Sequence, residues 1–143
     1  MTGIIEILLV EDNAADVRLI KEGMTVMESA CRLSVASDGE EALDFLHQRG
    51  RHGAAPRPSL ILLDLNLPRK DGFEVLEEIK ATTSLKRIPV MVLTSSSSMR
   101  DVNGAYELGA NSYLKKTGAL DEIYDLMRSI EHYWMKLSVL PGP

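Results

Sequence analysis

The sequence has few of the features that mark secreted, membrane-spanning or nucleic-acid-binding proteins. Cys31 is the only cysteine among 143 residues, so no disulfide can form within the chain, as is typical of a reducing compartment. Sixteen basic residues against 21 acidic ones give a net charge of −5, which disfavours a non-specific nucleic-acid surface. The first apolar run lacks a basic flank and ends in Glu11 and Asp12, which argues against a signal peptide or membrane span. We therefore expect a cytoplasmic protein with neither nucleic-acid nor membrane partners.

The chain does contain short apolar segments separated by helical patterns. The clearest segment is Leu60–Leu63, which is followed by Asp64 and then by turn residues. Comparable segments occupy residues 4–10, 32–36, 88–93 and 111–115. Short apolar runs bounded by turns indicate strands buried on both faces, as in a parallel sheet. Five such strands alternating with five helices predict one α/β domain built on a doubly wound sheet.

The predicted strands end in polar residues. Right-handed crossovers bring the carboxyl ends of parallel strands to one edge of the sheet, where ligands of such folds bind. The residues that reach this edge are Glu11, Asp12, Asp64, Thr94 and Lys116. Three neighbouring carboxylates repel each other, and a hard divalent cation such as Mg²⁺ removes that cost. A carboxylate beside such a cation can attack phosphorus, with Lys116 supplying positive charge and Thr94 a hydroxyl donor.

This arrangement resembles the receiver domain of two-component response regulators. The matching motifs are Glu11-Asp12 after the first strand, Asp64 after the third, Leu67-Pro68, Asp71-Gly72, Thr94, and Tyr113 three residues before Lys116. The resemblance covers about residues 4–132. We therefore expect residues 1–132 to form a receiver domain and residues 133–143 to form a helical extension and arm, called here the C-terminal extension. The family's fold implies a CheY-like (flavodoxin-like) five-stranded sheet with strand order 2-1-3-4-5.

The resemblance also implies a role for each matching residue. Asp64 is the expected phosphoacceptor, Lys116 the partner of the phosphoryl group, and Thr94 with Tyr113 the switch. The expected ligands of Mg²⁺ are Glu11, Asp12, Asp64 and the backbone carbonyl of Asn66.

One position departs from the family pattern. Thr117 follows Lys116, where the family usually has a proline after a cis bond. A cis bond before a residue other than proline costs about 2.5–4 kcal/mol. We therefore expect a trans bond here and a loop that differs locally from that of the family.

By resemblance the chain is a stand-alone response regulator, a phosphoacceptor signalling protein that accepts a phosphoryl group from a sensor histidine kinase. No residues remain for a separate output domain, so the signal is expected to pass through protein contacts. The loop over residues 49–58 and the C-terminal extension resemble those of response regulators paired with bacterial phytochromes. This likeness points to a bacteriophytochrome as the kinase.

Three other functions can be compared with this one. A phosphorelay shuttle would use the same site and pass the phosphoryl group onward. A phosphatase with an aspartyl nucleophile commonly carries a second aspartate two residues on as general acid, where this chain has Asn66. A flavin-binding module would need a phosphate cradle after the first strand, where Glu11 and Asp12 would repel the phosphate.

An apolar stripe runs along the last predicted helix and into the C-terminal extension. Its members are Leu120, Ile123, Met127, Ile130, Trp134 and Leu137, spaced three and four residues apart. The family's final helix usually ends near residue 130. Beyond that point we expect Trp134, Met135, Leu137, Val139 and Leu140 to have no surface of their own chain to cover. An exposed apolar cluster usually marks an interface, and we expect a homodimer in which the extension packs against the partner subunit.

Overall fold

A computed structural model describes residues 3–142 and shows five strands alternating with five α-helices. The strands are β1 (Ile5–Val10), β2 (Cys31–Ala36), β3 (Leu60–Leu63), β4 (Val90–Thr94) and β5 (Ser112–Lys115). The helices are α1 (Ala14–Met24), α2 (Gly39–Leu46), α3 (Gly72–Ala81), α4 (Met99–Glu107) and α5 (Leu120–Ile130). The loop predicted over residues 49–58 contains a single 3₁₀ turn, Gly50–His52. The last residue of the predicted arm, Pro143, lies outside the described residues.

The five strands form one parallel sheet in the order β2-β1-β3-β4-β5. The predicted doubly wound fold and its strand order are confirmed. The register brings the strand ends together, because Val10 lies beside both Ala36 and Leu63, and Thr94 lies beside Lys115. We call the edge of the sheet where these strands end the carboxyl edge.

Alternate residues of the central strands pack on opposite faces of the sheet, as the strand geometry requires. In β3, Ile61 and Leu63 face the core beneath α2, α3 and α4, whereas Leu60 and Leu62 face the core beneath α1 and α5. All four side chains of this strand are buried. This burial on both faces explains the continuous apolar run in the sequence.

Each of the first four helices begins with a side chain that caps its free N–H groups. Asn13 accepts from the backbone of residues 15 and 16, and Asp38 accepts from Glu41, as the sequence predicted. Asp71 and Glu74 form a reciprocal capping box at the start of α3. The helix begins with Gly72, where a Cβ atom would lie 2.3 Å from the Asp64 carbonyl oxygen. Glycine at this position therefore allows α3 to start directly against the end of β3.

The expectation for the C-terminal extension was wrong in part. A π-helical segment, Glu131–Leu137, continues α5 beyond residue 130. Trp134 and Met135 are half-buried against the core beneath α1 and α5, so they do cover a surface of their own chain. Leu137 and Val139 are 66% and 95% exposed, whereas Leu140 is half-buried.

No helix within residues 3–142 is long and apolar enough to cross a membrane.

Candidate functional site

The carboxyl edge gathers one ammonium group and several carboxylates. Lys116, directly after β5, places Nζ 2.5 Å from Glu11 Oε1 and 3.2 Å from Asp64 Oδ2. Glu11 and Asp64 directly follow β1 and β3, so the two central strands deliver both carboxylates to the same point. The three side chains are only 3%, 6% and 15% exposed for Glu11, Asp64 and Lys116. The edge is therefore a small, largely buried cluster of charges and not a solvated surface.

Burial and pairing act in opposite directions on these charges. Burial raises the pKa of Glu11 to about 7, although hydrogen bonds from Lys116 and Asn13 lower it, and the charge of Asp64 adds to the increase. Burial by itself lowers the pKa of Lys116, but the hydrogen bonds to Glu11 and Asp16 and the charge of Asp64 raise it overall. The Lys116 ammonium therefore stays charged. Because the pKa of Glu11 is near neutrality, any further positive charge beside it would favour its ionised form.

The carboxylates are arranged to hold a hard divalent ion. Glu11, Asp12 and Asp64 each offer an oxygen atom, and these atoms lie within 4.8 Å of one another. Asp12 is exposed, which leaves one side of this cluster open to water. Oxygen ligands with room for water suit Mg²⁺. Asn66 lies just beyond Asp64 and donates its N–H to Asp64 Oδ1 at 3.3 Å, which keeps its peptide beside the acceptor.

Thr94 and Tyr113 were predicted to form the switch, and their hydroxyl groups are not hydrogen-bonded to each other. Thr94 is fully buried at the end of β4, and its hydroxyl has no hydrogen-bond partner among residues 3–142. Tyr113 instead donates its hydroxyl to the Ser96 carbonyl at 2.9 Å. The Thr94 hydroxyl is therefore a donor that an arriving phosphoryl oxygen could satisfy.

The structure also shows a site residue that sequence reasoning missed. Asp16 Oδ2 lies 2.9 Å from Lys116 Nζ, closer than the Asp64 oxygen. The sequence suggested only that this carboxylate suits the first turn of α1. Because α1 begins four residues after β1 ends, its first turn lies next to the carboxyl edge, and that spacing was the available signal.

The trans bond expected before Thr117 is confirmed, and the local difference of this loop from the family stays a prediction. The described part of the chain has no cis peptide bond, so the bond between Lys116 and Thr117 is trans. The Thr117 hydroxyl accepts from the backbone N–H of Ala119 at 3.2 Å. This contact shapes the turn that leads into α5.

The parallel sheet and the acidic and lysine residues at its carboxyl edge are those of a receiver domain. The family model of the response regulator receiver domain matches residues 7–128. The chain belongs to this family, whose members are signalling proteins.

Similar proteins share almost the whole length of the chain. Response regulator Rcp1 of Synechocystis sp. is 48% identical over 136 residues, which cover 95% of this chain and 92% of Rcp1. The crystal structure of the Mn²⁺-bound form of Rcp1 superimposes with a TM-score of 0.89 at 47% identity, covering 96% of this chain and 99% of that one. The crystal structure of the phosphorylated cyanobacterial phytochrome response regulator RcpA gives a TM-score of 0.93 at 44% identity, covering 98% and 100%.

Proposed function

We propose that this protein is a single-domain response regulator that accepts a phosphoryl group on Asp64 from a sensor histidine kinase. One observation carries the assignment: the Asp64 carboxylate ends the central strand β3, 3.2 Å from the Lys116 ammonium and within the oxygen cluster formed with Glu11 and Asp12. A buried carboxylate with a cation on one side and a metal-binding cluster on the other is equipped for attack on phosphorus.

Each residue at the carboxyl edge has a separate role in the phosphoryl transfer. An Asp64 oxygen attacks phosphorus, the O–P bond forms, and the bond from phosphorus to the histidine nitrogen of the kinase breaks. Glu11, Asp12, Asp64 and the Asn66 carbonyl would hold Mg²⁺, which would supply positive charge for the transfer. Lys116 donates to one of these oxygens, and the unpartnered Thr94 hydroxyl donates to another. Since Asn66 already donates to Asp64 Oδ1, the acceptor is oriented before the donor arrives.

The same contacts give a route for the signal. When Thr94 turns its hydroxyl towards the phosphoryl group, the space around its buried side chain changes. Tyr113 lies nearby on β5 and is held by the Ser96 carbonyl in the loop between β4 and α4. Loss of that hydrogen bond would release the loop and change the surface that a downstream protein meets.

The assignment is tested with acetyl phosphate and Mg²⁺, measured by intact mass. Wild type should gain one phosphoryl group, and Asp64→Asn should gain none because an amide is a poor nucleophile. Asp125→Asn is the matched control, since its side chain is 79% exposed on α5 and pairs with Arg128, away from the carboxyl edge. Equal labelling of wild type and Asp64→Asn would refute the assignment.

We take Mg²⁺ as the ion and Glu11, Asp12, Asp64 and the Asn66 carbonyl as its ligands. The existence of a Mn²⁺-bound form of Rcp1 supports a divalent ion in this family, and the oxygen donors here suit Mg²⁺. Mg²⁺ should raise the thermal midpoint of the wild type by mass action, and Asp12→Ala should remove most of that rise. A rise of equal size in the variant would place the ion elsewhere.

The kinase is proposed to be a bacteriophytochrome. The likeness to RcpA, a cyanobacterial phytochrome response regulator, supports this choice over other histidine kinases. Phosphotransfer profiling against the histidine kinases of the host should show the fastest transfer from a phytochrome kinase. Faster transfer from an unrelated kinase would redirect the pathway and leave the Asp64 assignment intact.

We also propose that residues 133–143 act as a dimerisation extension beyond the receiver domain of residues 1–132. Leu137 and Val139 are 66% and 95% exposed. They lie between Trp134 and Leu140, two apolar residues that are half-buried. Apolar residues exposed together favour an interface. Because this surface is separate from Asp64, the two-fold dimer should exist without phosphorylation.

Substitution tests the dimer better than truncation does. A truncation would also remove Trp134 and Met135, which pack against the core of their own chain. Leu137→Glu with Val139→Glu should convert the dimer to a monomer in sedimentation experiments. Tyr106→Glu on α4 is the control, since this side chain is 48% exposed and lies outside the extension. A dimer that survives the double substitution would show that the contact lies elsewhere.

A further inference from the structure

Asp16 has no assigned role in the site, although it makes one of the shortest contacts to Lys116. The Asp16 carboxylate lies 2.9 Å from the ammonium, and its side chain is 34% exposed. It is not needed to cap α1, because Asn13 Oδ1 already accepts from the backbone N–H groups of Ala15 and Asp16. The carboxylate is therefore available to act on Lys116.

The number of carboxylates that contact Lys116 indicates how Asp16 acts on it. An ammonium group has three N–H donors, and here three carboxylates surround it: Glu11, Asp16 and Asp64. Glu11 and Asp64 also belong to the group of oxygens that can hold a metal ion, whereas Asp16 does not. A divalent ion and Lys116 consequently compete for Glu11 and share Asp64, and Asp16 is the partner of Lys116 that the ion does not take.

We propose that Asp16 is a positioning residue that retains Lys116 at the carboxyl edge when a divalent cation takes over Glu11. In the metal-free state Lys116 is shared among three carboxylates. On metal binding it shifts towards Asp16, stays beside Asp64 and keeps its donors directed at the position of the incoming phosphoryl oxygens. Asp16 thereby lowers the cost of separating Lys116 from Glu11 and strengthens metal binding without contacting the metal. This inference rests on the proposed metal site.

The test measures Mg²⁺ affinity of the whole chain by isothermal titration without any phosphodonor. Asp16→Asn should weaken Mg²⁺ binding about two- to fivefold, the range expected when a partly exposed charge pair is lost. Asp16→Glu keeps the carboxylate and should recover part of the affinity. Glu22→Gln removes the same charge from the same helix, at a residue that bonds Tyr124 and not Lys116, and should leave the affinity within about 1.5-fold of wild type.

A second comparison separates action through Lys116 from a general loss of negative charge. In a Lys116→Met background, Asp16→Asn should no longer weaken Mg²⁺ binding, because the residue it acts through is gone. An equal weakening in both backgrounds would overturn the proposal, as would an unchanged affinity in Asp16→Asn. Wild type that binds no Mg²⁺, or Asp12→Ala that binds it as well as wild type, would refute the metal site itself. Normal wild-type binding with an unaffected Asp16→Asn would refute only the role of Asp16.

Discussion

The carboxyl edge and the C-terminal extension are held in place by opposite kinds of interaction. At the edge, Glu11 and Asp64 are buried charges balanced by a single ammonium. In the extension, Trp134 and Met135 pack apolar surface on the core beneath α1 and α5, and the indole N–H contacts the Met91 sulfur at 2.9 Å. One arrangement depends on charge and on what binds there, and the other depends on shape and apolar area.

The contrast assigns different tasks to the two regions. Buried charges sharing one cation are poised to rearrange when a metal or phosphoryl group changes the charge balance. Packed aromatic and thioether side chains have no such dependence, so the extension should remain docked in every state of the site. The region expected to rearrange and the region expected to stay docked are both built on the same α/β sheet.

The test with the largest expected effect on the free energy of unfolding is the pH dependence of stability at the carboxyl edge. Burial raises the pKa of Glu11 from 4.5 to about 7. A carboxyl whose pKa is raised by folding gives its full stabilisation below about pH 4.5 and loses it as the pH rises through 7. With divalent ions removed by a chelator, wild type should lose up to about 3 kcal/mol relative to Glu11→Gln between about pH 4 and 8.

Chemical denaturation of both proteins across that range gives the measurement. Glu22→Gln, an exposed change on α1, should follow the wild-type curve. Stability curves for wild type and Glu11→Gln that stay parallel would contradict the charge-dependent description of the edge.

The second test removes the packing of the extension. Trp134→Ala should cost about 2–3 kcal/mol, less than for a fully buried tryptophan because the ring is half-buried. Leu137→Ala, at a side chain 66% exposed, should cost under about 0.5 kcal/mol when the two are compared in one oligomeric state. Both losses should be the same with and without phosphorylation. A Trp134→Ala cost that changes with phosphorylation would break the contrast between the regions.

The test with the smallest expected effect on the free energy of unfolding concerns Glu131, a buried carboxylate at the start of the π-helical segment. Its carboxylate accepts the Ser29 N–H at 2.5 Å. Burial by itself raises the pKa of Glu131, and the hydrogen bonds at Ser29 outweigh it and lower the pKa overall. Glu131→Gln should cost about 1 kcal/mol at neutral pH, since the amide oxygen can still accept from Ser29 but the acceptor no longer carries a charge.

The pH dependence of this cost distinguishes Glu131 from Glu11. A carboxyl with a lowered pKa contributes stability above its ordinary value of 4.5 and loses it as the pH falls through the folded-state pKa. The wild-type advantage over Glu131→Gln should therefore shrink below about pH 4.5, the opposite direction from Glu11. A shrinking advantage on raising the pH would contradict the assignment of this contact.

The fold and most of the edge could be predicted from the sequence because the signals are local. Leu60–Leu63 is apolar at every position, so it specifies a strand buried on both faces, and Asp64 must then lie at the strand's end. The carboxylate cluster of Glu11, Asp12 and Asp64, which could hold a metal ion, followed from the same reasoning.

The interactions that escaped prediction join residues far apart in the chain. Asp16 and Lys116 are 100 residues apart, and nothing local to either one specifies their contact. Trp134 lies beside Met91, and Met135 Sδ lies 3.7 Å from Cys31 Sγ, so the fit of the extension depends on residues from two other strands. A helical stripe shows which side chains are apolar but not whether their own chain or a partner covers them.

The position of Trp134 provides a built-in optical probe. It is the only tryptophan in the chain, so indole fluorescence comes from one place. Its ring contacts Met91 in β4, and Thr94 lies at the end of the same strand. Emission from the unlabelled protein therefore reports on the contact between the extension and β4, and an unchanged spectrum on adding metal or phosphodonor would show that the extension stays docked.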